Sequence, residues 1–476
     1  MHSTPLNVLY LHSHDTGRYV QPYGCAVATP KLQRLAEDGV LFRQAFCASP
    51  TCSPSRAALL TGMWPHCNGM IGLAHRGARL HDPSRHLASF LARHGYLTAL
   101  AGTHHEAPWE TPQLLGYQRI LERETAAKLS GDPNENIARL AGGFLARPHD
   151  QPFFLSCGFG LTHRTGTGMQ WHNGDKSPLG DPRYVRPPAP LPDLPETRRD
   201  FADFAMAVQH LDHCMGLVCD ALEAADLAES TLLICTTDHG IAFPFMKCNL
   251  TDHGIGVMLL LRGPLLRHLD AARGSGGQAG GFRGGKVMDA MVSHLDVFPT
   301  ICELAGMPPP DWLQGRSLCE LVDGGAPKVH EEIFAEVNYH AAYEPMRAVR
   351  TTRYKYIRRF NVRPGPVLPN CDDSISKQLL LAHGWAQLPQ SAECLYDLVF
   401  DPNEACNLAG QAAQADVLAD MRTRLERWMR ETDDPLLSGK IKPWPGMVVN
   451  PAAGMSPQEP TVDAALSGDA CISKPF

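Results

Sequence analysis

Long apolar runs are missing from this 476-residue chain. A bilayer-spanning helix needs about 20 consecutive apolar residues, and no stretch supplies them. An excess of positive charge is missing too. The 43 Lys and Arg stand against 50 Asp and Glu, a formal net charge of -7, so nothing draws the whole molecule to nucleic acid or to an anionic membrane surface. Neither is therefore expected as a partner, and an anionic ligand has to be met by a local cluster of positive groups. Cys-x-x-Cys pairs are absent, and the fifteen cysteines are odd in number and scattered. That pattern fits a reducing compartment better than a disulfide framework. Met1-His2-Ser3-Thr4-Pro5 carries no charged leader and runs straight into a strand-like segment, so a cytoplasmic location is expected.

The length is enough for one large domain and a smaller one. Apolar runs of strand length alternate with helical patterns, as an α/β fold requires. Val8 to Leu11 reads as the first strand. A helix opens at Thr29-Pro30 and closes at Gly39, and an extended stretch follows from Val40 to Phe46. Leu97 to Ala101, Phe153 to Ser156 and Leu232 to Thr236 read as further central strands. Phe204, Val208, Leu211, Met215 and Leu222 repeat at helical spacing over about 201 to 226. Another helix is expected to follow Pro299 and end at Gly306. The Pro- and Gly-rich stretch from Thr165 to Pro195 reads equally as a surface excursion or as a loop shaping a pocket. Gly274 to Gly285 ends in Lys286, but Val287 stands where a nucleotide-binding loop needs Ser or Thr, so it reads as a linker. The character changes near residue 340, giving expected units of 1–340 and 341–476. Strands are expected at Met346 to Ile357 and Glu393 to Leu398, a helix at Leu418 to Thr432, and irregular chain from Gly439.

The most informative string is Cys52-Ser53-Pro54-Ser55-Arg56, followed by Ala57-Ala58-Leu59-Leu60-Thr61-Gly62. It places a thiol and a guanidinium one turn apart at the start of a helix, with Pro54 suited to the first turn and Ser53 or Cys52 as the cap. Free backbone N–H groups there favour an anion. A thiol phosphatase would have five residues between Cys and Arg and glycines around the phosphate, and this string has neither. Open α/β sheets build sites at the carboxyl ends of their strands. Here those ends carry His12, Ser13, His14 and Asp15; His104 and His105; His163; and Asp238 and His239. Asp15 and Asp238 hold matching positions, and two hard carboxylates there suit Ca²⁺ or Mg²⁺.

The Cys52 to Gly62 string resembles the type I sulfatase signature, in which the cysteine is oxidised after translation to formylglycine. Further segments are similar to those of the heparan sulfamidases: Phe42-Arg43-Gln44-Ala45-Phe46, His66-Cys67-Asn68-Gly69-Met70, Asp238 to Pro244, Tyr396-Asp397-Leu398, and Glu431 to Pro435. The resemblance implies an alkaline-phosphatase-like α/β sandwich with a large mixed sheet between helices, and a small C-terminal α+β subdomain with an antiparallel sheet. It implies one divalent ion, Ca²⁺ by family habit, bound by Asp15, His14, Asp238, His239 and the modified Cys52. The family has Asp-Asp and Asp-Asn where this chain has His14-Asp15 and Asp238-His239, and imidazoles favour Mn²⁺ or Zn²⁺. Arg56, His105 and His163 take catalytic roles by the same resemblance, with His163 protonating the leaving group and His105 acting as the later base.

Lys247 and His104 are implied to bind sulfate. Thr103 occupies the place of the family's lysine in Gly-Lys-x-His, and His104 is the expected partial replacement. His75, Arg76 and His340, with Asn68 and Arg347, are expected to reach the rest of the substrate. The implied activity is release of sulfate from a sulfated sugar, with a formylglycine-generating or anaerobic maturating enzyme as partner. Two alternatives stand beside it. His239 resembles the Asp-His pair of phosphonate monoester hydrolases, and a relative with an altered metal site could bind a sulfated glycan without turning it over.

Overall fold

The computed structural model describes residues 6–124, 131–165, 170–171, 180–264 and 281–467. In chain order the strands are β1 (Asn7–Ser13), β2 (Val40–Phe46), β3 (Leu97–Gly102), β4 (Arg119–Ile120), β5 (Phe153–Gly158), β6 (Arg164–Thr165), β7 (Gln170–Trp171), β8 (Thr231–Thr237), β9 (Leu259–Arg262) and β10 (Lys286–Ser293). Eight of them form one sheet in the order β10-β2-β9-β8-β1-β5-β3-β4. β1 pairs in parallel with β5 and β8, whereas β9 runs antiparallel to both β8 and β2, so the sheet is mixed as expected.

β1, β5 and β8 are buried along their whole length, which is why they read as continuous apolar runs and not as alternating patterns. Alternation decides instead which core each side chain enters. Val8 and Tyr10 of β1 face a core shared with the Cys52–Thr61 and Val297–Leu304 helices. Leu9 and Leu11 face another, built with the helices Pro30–Asp38, Pro133–Leu145 and Pro195–Ala224. Register then aligns the strand ends. His12 lies opposite both Gly158 and Thr236, and Gly102 lies opposite Gly158. The segments that follow β1, β3, β5 and β8 therefore leave the sheet along one rim.

Several boundaries move for local reasons. The long helix starts at Pro195, six residues before the apolar repeat, because its first turn is polar and is closed by Thr197 bonding back to the Leu194 N–H. The helix expected after Pro299 starts at Val297, behind the cap formed by Ser293 and Asp296. The cap of the Cys52 helix is Thr51, and Cys52 is its first residue, so neither Ser53 nor Cys52 caps it. Residues 166–169 and 172–179 of the 165–195 stretch, and most of the Gly274 to Gly285 loop, lie outside the described residues. Lys286, at the end of that loop, bonds the carbonyls of Gly281 and Val322.

A second sheet contains β11 (Ile333–Tyr339), β12 (Tyr343–Arg350), β13 (Tyr354–Arg359) and β14 (Glu393–Asp397), all antiparallel. It opens seven residues before the change of character at 340. The single strand expected over Met346 to Ile357 is two, because Thr351 turns the chain through its backbone and hydroxyl bonds to Tyr354. The helix Ala415–Glu431 packs against β12 and β13.

A buried ion cluster ties the segment after the Cys52 helix to the second sheet and to the chain beyond the Ala415–Glu431 helix. The His66 N–H and Nδ1 meet Glu336 at 2.7 and 2.5 Å. Arg347 Nε donates to Asp434 at 2.5 Å and lies 3.5 Å from Glu336. Burial disfavours the His66 imidazolium, but Glu336 outweighs it and the pKa is raised from 6.5 to about 10. A raised histidine stabilises the fold fully below its unfolded pKa and loses that contribution as pH climbs through the folded value. Stability should therefore fall between pH 7 and 10, and His66→Gln should flatten that fall, as read by urea midpoints across pH.

Candidate active site

The rim described above brings most of the expected residues together. Cys52 is buried at the first turn of its helix, with Sγ 3.4 Å from His239 Nε2. Asp238, directly after β8, is the hub. Its Oδ2 accepts from Arg56 Nη2 at 2.9 Å and lies 3.2 Å from His14 Nδ1, while its Oδ1 accepts from the Asp15 and His239 backbone N–H groups at 2.8 and 2.9 Å. Asp15 is held at φ +50°, an uncommon backbone conformation for a residue with a side chain. Its bond to Asp238 helps offset that strain.

Arg56 is wholly buried and held on several sides. It contacts His12 Nδ1 at 2.5 Å, the Ser13 carbonyl at 2.8 Å and Asp238. Burial works against its charge, but Asp238 outweighs burial and the pKa rises. Burial likewise opposes the Asp238 carboxylate, and His239, Arg56 and His14 together hold its pKa well below the usual range. His12, named in the strand-end cluster, has no assigned role in the expected site. It sits on β1, its Nε2 meets Ser156 at 3.1 Å, and burial followed by the Arg56 charge keeps it neutral. Its place two residues before His14, on the same face of an extended segment, was the available signal.

Lys247 bridges Asp15 Oδ2 at 2.9 Å and Asp372 Oδ2 at 3.0 Å. Asp372 also escaped the sequence reading, since it lies outside every strand-end cluster. Lys247, His163 and His340 overcome the burial penalty and depress its pKa. His105 packs edge-on to His14 with ring centres 4.5 Å apart, and His163 does so at 5.4 Å. Burial and then the His14 and Arg56 charges push His105 well below its ordinary value, so it is a neutral base. His163 has Nδ1 committed to the Arg164 carbonyl at 2.5 Å, which leaves Nε2 for the pocket.

Other expectations are corrected. His104 lies 3.4 Å from the Pro108 carbonyl, and burial lowers its pKa, so it does not restore the cation missing at Thr103. Arg76 spends its guanidinium on the Ala341 carbonyl and Asn450. Asn68 bonds Thr61, Met63 and Met70 within its own loop, and Arg347 belongs to the buried ion cluster. These three are structural. His75 is exposed at the pocket edge, 6.4 Å from the His105 ring, and His340 is a buried neighbour of Lys247 and Asp372.

The donor set fits a divalent ion. His14, Asp15, Cys52 and Asp238 each offer a ligand atom within 4.8 Å of the others. Asp15 Oδ1 is buried without a hydrogen bond, with His239 Nε2 at 3.3 Å. Arg56 and Lys247 face Asp15, Asp238 and Asp372, so these groups alone are negative on balance and would repel an anion. A bound dication reverses that sign. The Cys52 thiol, by contrast, is a poor nucleophile as it stands. Burial first, then Asp15 and Asp238 against the opposing Lys247, raise its pKa well above 9. Unconverted Cys52 should escape iodoacetamide in the folded protein at pH 8 and be alkylated after unfolding, as read by peptide mass.

Comparison with known proteins agrees with this arrangement. The sulfatase family model matches residues 7–307, and the model of the N-sulphoglucosamine sulphohydrolase C-terminal region matches residues 279–364. Human N-sulphoglucosamine sulphohydrolase is 31% identical, covering 90% of this chain and 91% of that relative. A solved structure in complex with D-glucosamine-2-N,6-O-disulfate superposes with a TM-score of 0.65 at 17% identity, over 91% of this chain and 99% of the other. The phosphonate monoester hydrolase of Agrobacterium radiobacter gives 0.64 at 20% identity, over 90% and 96%. The match across the whole Cys52 rim, from β1 past the Val297–Leu304 helix, makes the chain a member of the sulfatase family, hydrolases of sulfate esters and S–N bonds.

Proposed function

We propose that this protein releases inorganic sulfate from a sulfated amino sugar or related glycan, cleaving an N-sulfamate or an O-sulfate ester. The carrying observation is the convergence of Cys52 and Arg56 on a buried pocket of two carboxylates and two imidazoles. The similarity to human N-sulphoglucosamine sulphohydrolase supports the substrate class. In this reading a maturating enzyme converts Cys52 to formylglycine, whose hydrated aldehyde supplies the attacking oxygen. A divalent ion held by Asp15, Asp238, His14 and His239 supplies Lewis-acid polarisation of the sulfate. The fourteen described cysteines are free thiols, which supports a reducing, cytoplasmic setting.

The chain's own groups divide the remaining work. Arg56, fixed by His12 and Asp238, and Lys247, fixed by Asp15 and Asp372, present preorganised positive charge to the sulfate oxygens. With Nδ1–H held by the Arg164 carbonyl, the imidazolium form of His163 donates its Nε2 proton to the departing oxygen or nitrogen and is left neutral. His105, neutral through burial, accepts the proton that must leave before sulfate is released.

Turnover of N-sulfated, 6-O-sulfated and 3-O-sulfated glucosamines beside an aryl phosphodiester tests the reading. Sulfate release from at least one sugar should exceed phosphodiester cleavage. The reverse order would favour the phosphonate-type alternative, which His239 beside Cys52 and the uncharged Thr103 motivate. His163→Asn should lower kcat by about 10²-fold or more on substrates with poor leaving groups and much less on an activated aryl sulfate. Equal losses on both would remove the assigned role. Imidazole ligands favour Mn²⁺ or Zn²⁺ over Ca²⁺. Elemental analysis should find such an ion in stoichiometric amount and find it lost in Asp15→Asn, whereas calcium alone would refute the choice of metal.

A further inference from the structure

A second pocket is lined in part by the segment that follows the Cys52 helix. It is a cavity of about 920 Å³ whose lining includes His66, His81, Asp433, Lys440, Lys442 and Trp444. The 69–76 segment runs from this cavity toward the Cys52 pocket. Gly69 and Ile71 line the cavity, while His75, a few residues on, approaches His105. Ile71 also receives a backbone bond from Tyr339, the residue before His340.

Three features of the cavity point to an anionic ligand with a ring. The first is His66, which is 8% exposed and whose Nε2 is buried with no hydrogen-bond partner. Its other nitrogen is committed to Glu336, and that pairing, helped by Cys67, keeps the ring protonated, so a charged imidazolium lines the cavity. The second is charge. Lys440 and Lys442 bring two cations against Asp433 in a protein of net charge -7. Lys440 is drawn over the Tyr343 ring at 5.2 Å, without a carboxylate partner among its described contacts. The third is Trp444. Its Nε1 donates to the Gly69 carbonyl at 2.8 Å, which fixes the indole on the cavity wall. His81 lies 5.0 Å from it and the Arg79 guanidinium 4.6 Å. A fixed indole beside Arg79, with Lys440 and Lys442 lining the same cavity, offers an apolar surface to a saccharide ring and charge partners to its acidic substituents.

We propose that this cavity is a second, anion-binding subsite that takes a carboxylate- or sulfate-bearing saccharide unit of the same chain whose reacting sulfate lies at Cys52. The inference rests on the reading of the substrate as a sulfated glycan and extends it from a single sugar to an oligosaccharide. An oligosaccharide bound at both pockets gains from the second contact being intramolecular, and its affinity depends on salt through the two lysines.

The test uses the full chain with Cys52→Ala, so that binding is measured without turnover. Calorimetric titration compares glucosamine N,6-disulfate with a heparin-derived tetrasaccharide at two salt concentrations. The tetrasaccharide should bind about tenfold or more tightly than the monosaccharide, and Lys440→Gln with Lys442→Gln should collapse that ratio and flatten the salt dependence. Trp444→Phe, which keeps an aromatic face, should retain part of the ratio. An undiminished ratio in the double lysine variant, or equal affinity of both ligands for the parent protein, would overturn the subsite. Tetrasaccharide binding that depends on the lysines without any monosaccharide binding would uphold the subsite and count instead against the reading of the Cys52 pocket.

Discussion

The Asp238 carboxylate is the point on which the site depends. It leaves the sheet at the end of β8 and gathers groups from separate segments: Arg56 from the Cys52 helix, the Asp15 N–H and His14 from the chain after β1, and the His239 N–H beside it. Removing one partner from such a buried set leaves an uncompensated charge, which costs about 3–5 kcal/mol. The same carboxylate fixes Arg56, supports the strained backbone of Asp15 and sets the distance between the imidazoles. Packing of the parallel strands makes this possible, since their register brings His12, Gly102, Gly158 and Thr236 to one level.

A chain of charge extends outward from that hub. Asp15 shares one oxygen with Lys247 and leaves the other without a hydrogen bond, and Lys247 passes to Asp372 beyond β13. The large sheet and the C-terminal part of the chain therefore meet in the pocket itself. Elsewhere the His66–Glu336 pair joins the same two parts of the chain, and Arg347–Asp434 braces the C-terminal part behind it. The surplus of carboxylates over cations around Cys52 suits a divalent cation, which would reverse the local charge.

Much of this was legible in the sequence. The Cys52 string, the strand-end polar clusters and the alternation of strand and helix pointed to one rim for Cys52, both aspartates and four of the histidines, and the fold brings these residues together there. Pattern reading failed where a side chain's partner lies far along the chain. Arg347 looks like any half-exposed strand residue until Asp434 meets it, 87 positions later. Asp372 carries no local signature, because its importance arises only from contact with Lys247. Arg76 stands beside a pocket-edge histidine, yet its donors are taken by Ala341 and Asn450. His104 illustrates a different limit, since motif position suggested a cation and burial denies it the charge.

The account turns on whether Cys52 is the precursor of the nucleophile. Protein produced together with a formylglycine-generating enzyme should yield, on mass analysis of the peptide spanning Cys52, a species in which the thiol has been replaced by an aldehyde. An unmodified thiol there, while a control sulfatase made in the same cells is converted, would contradict the account.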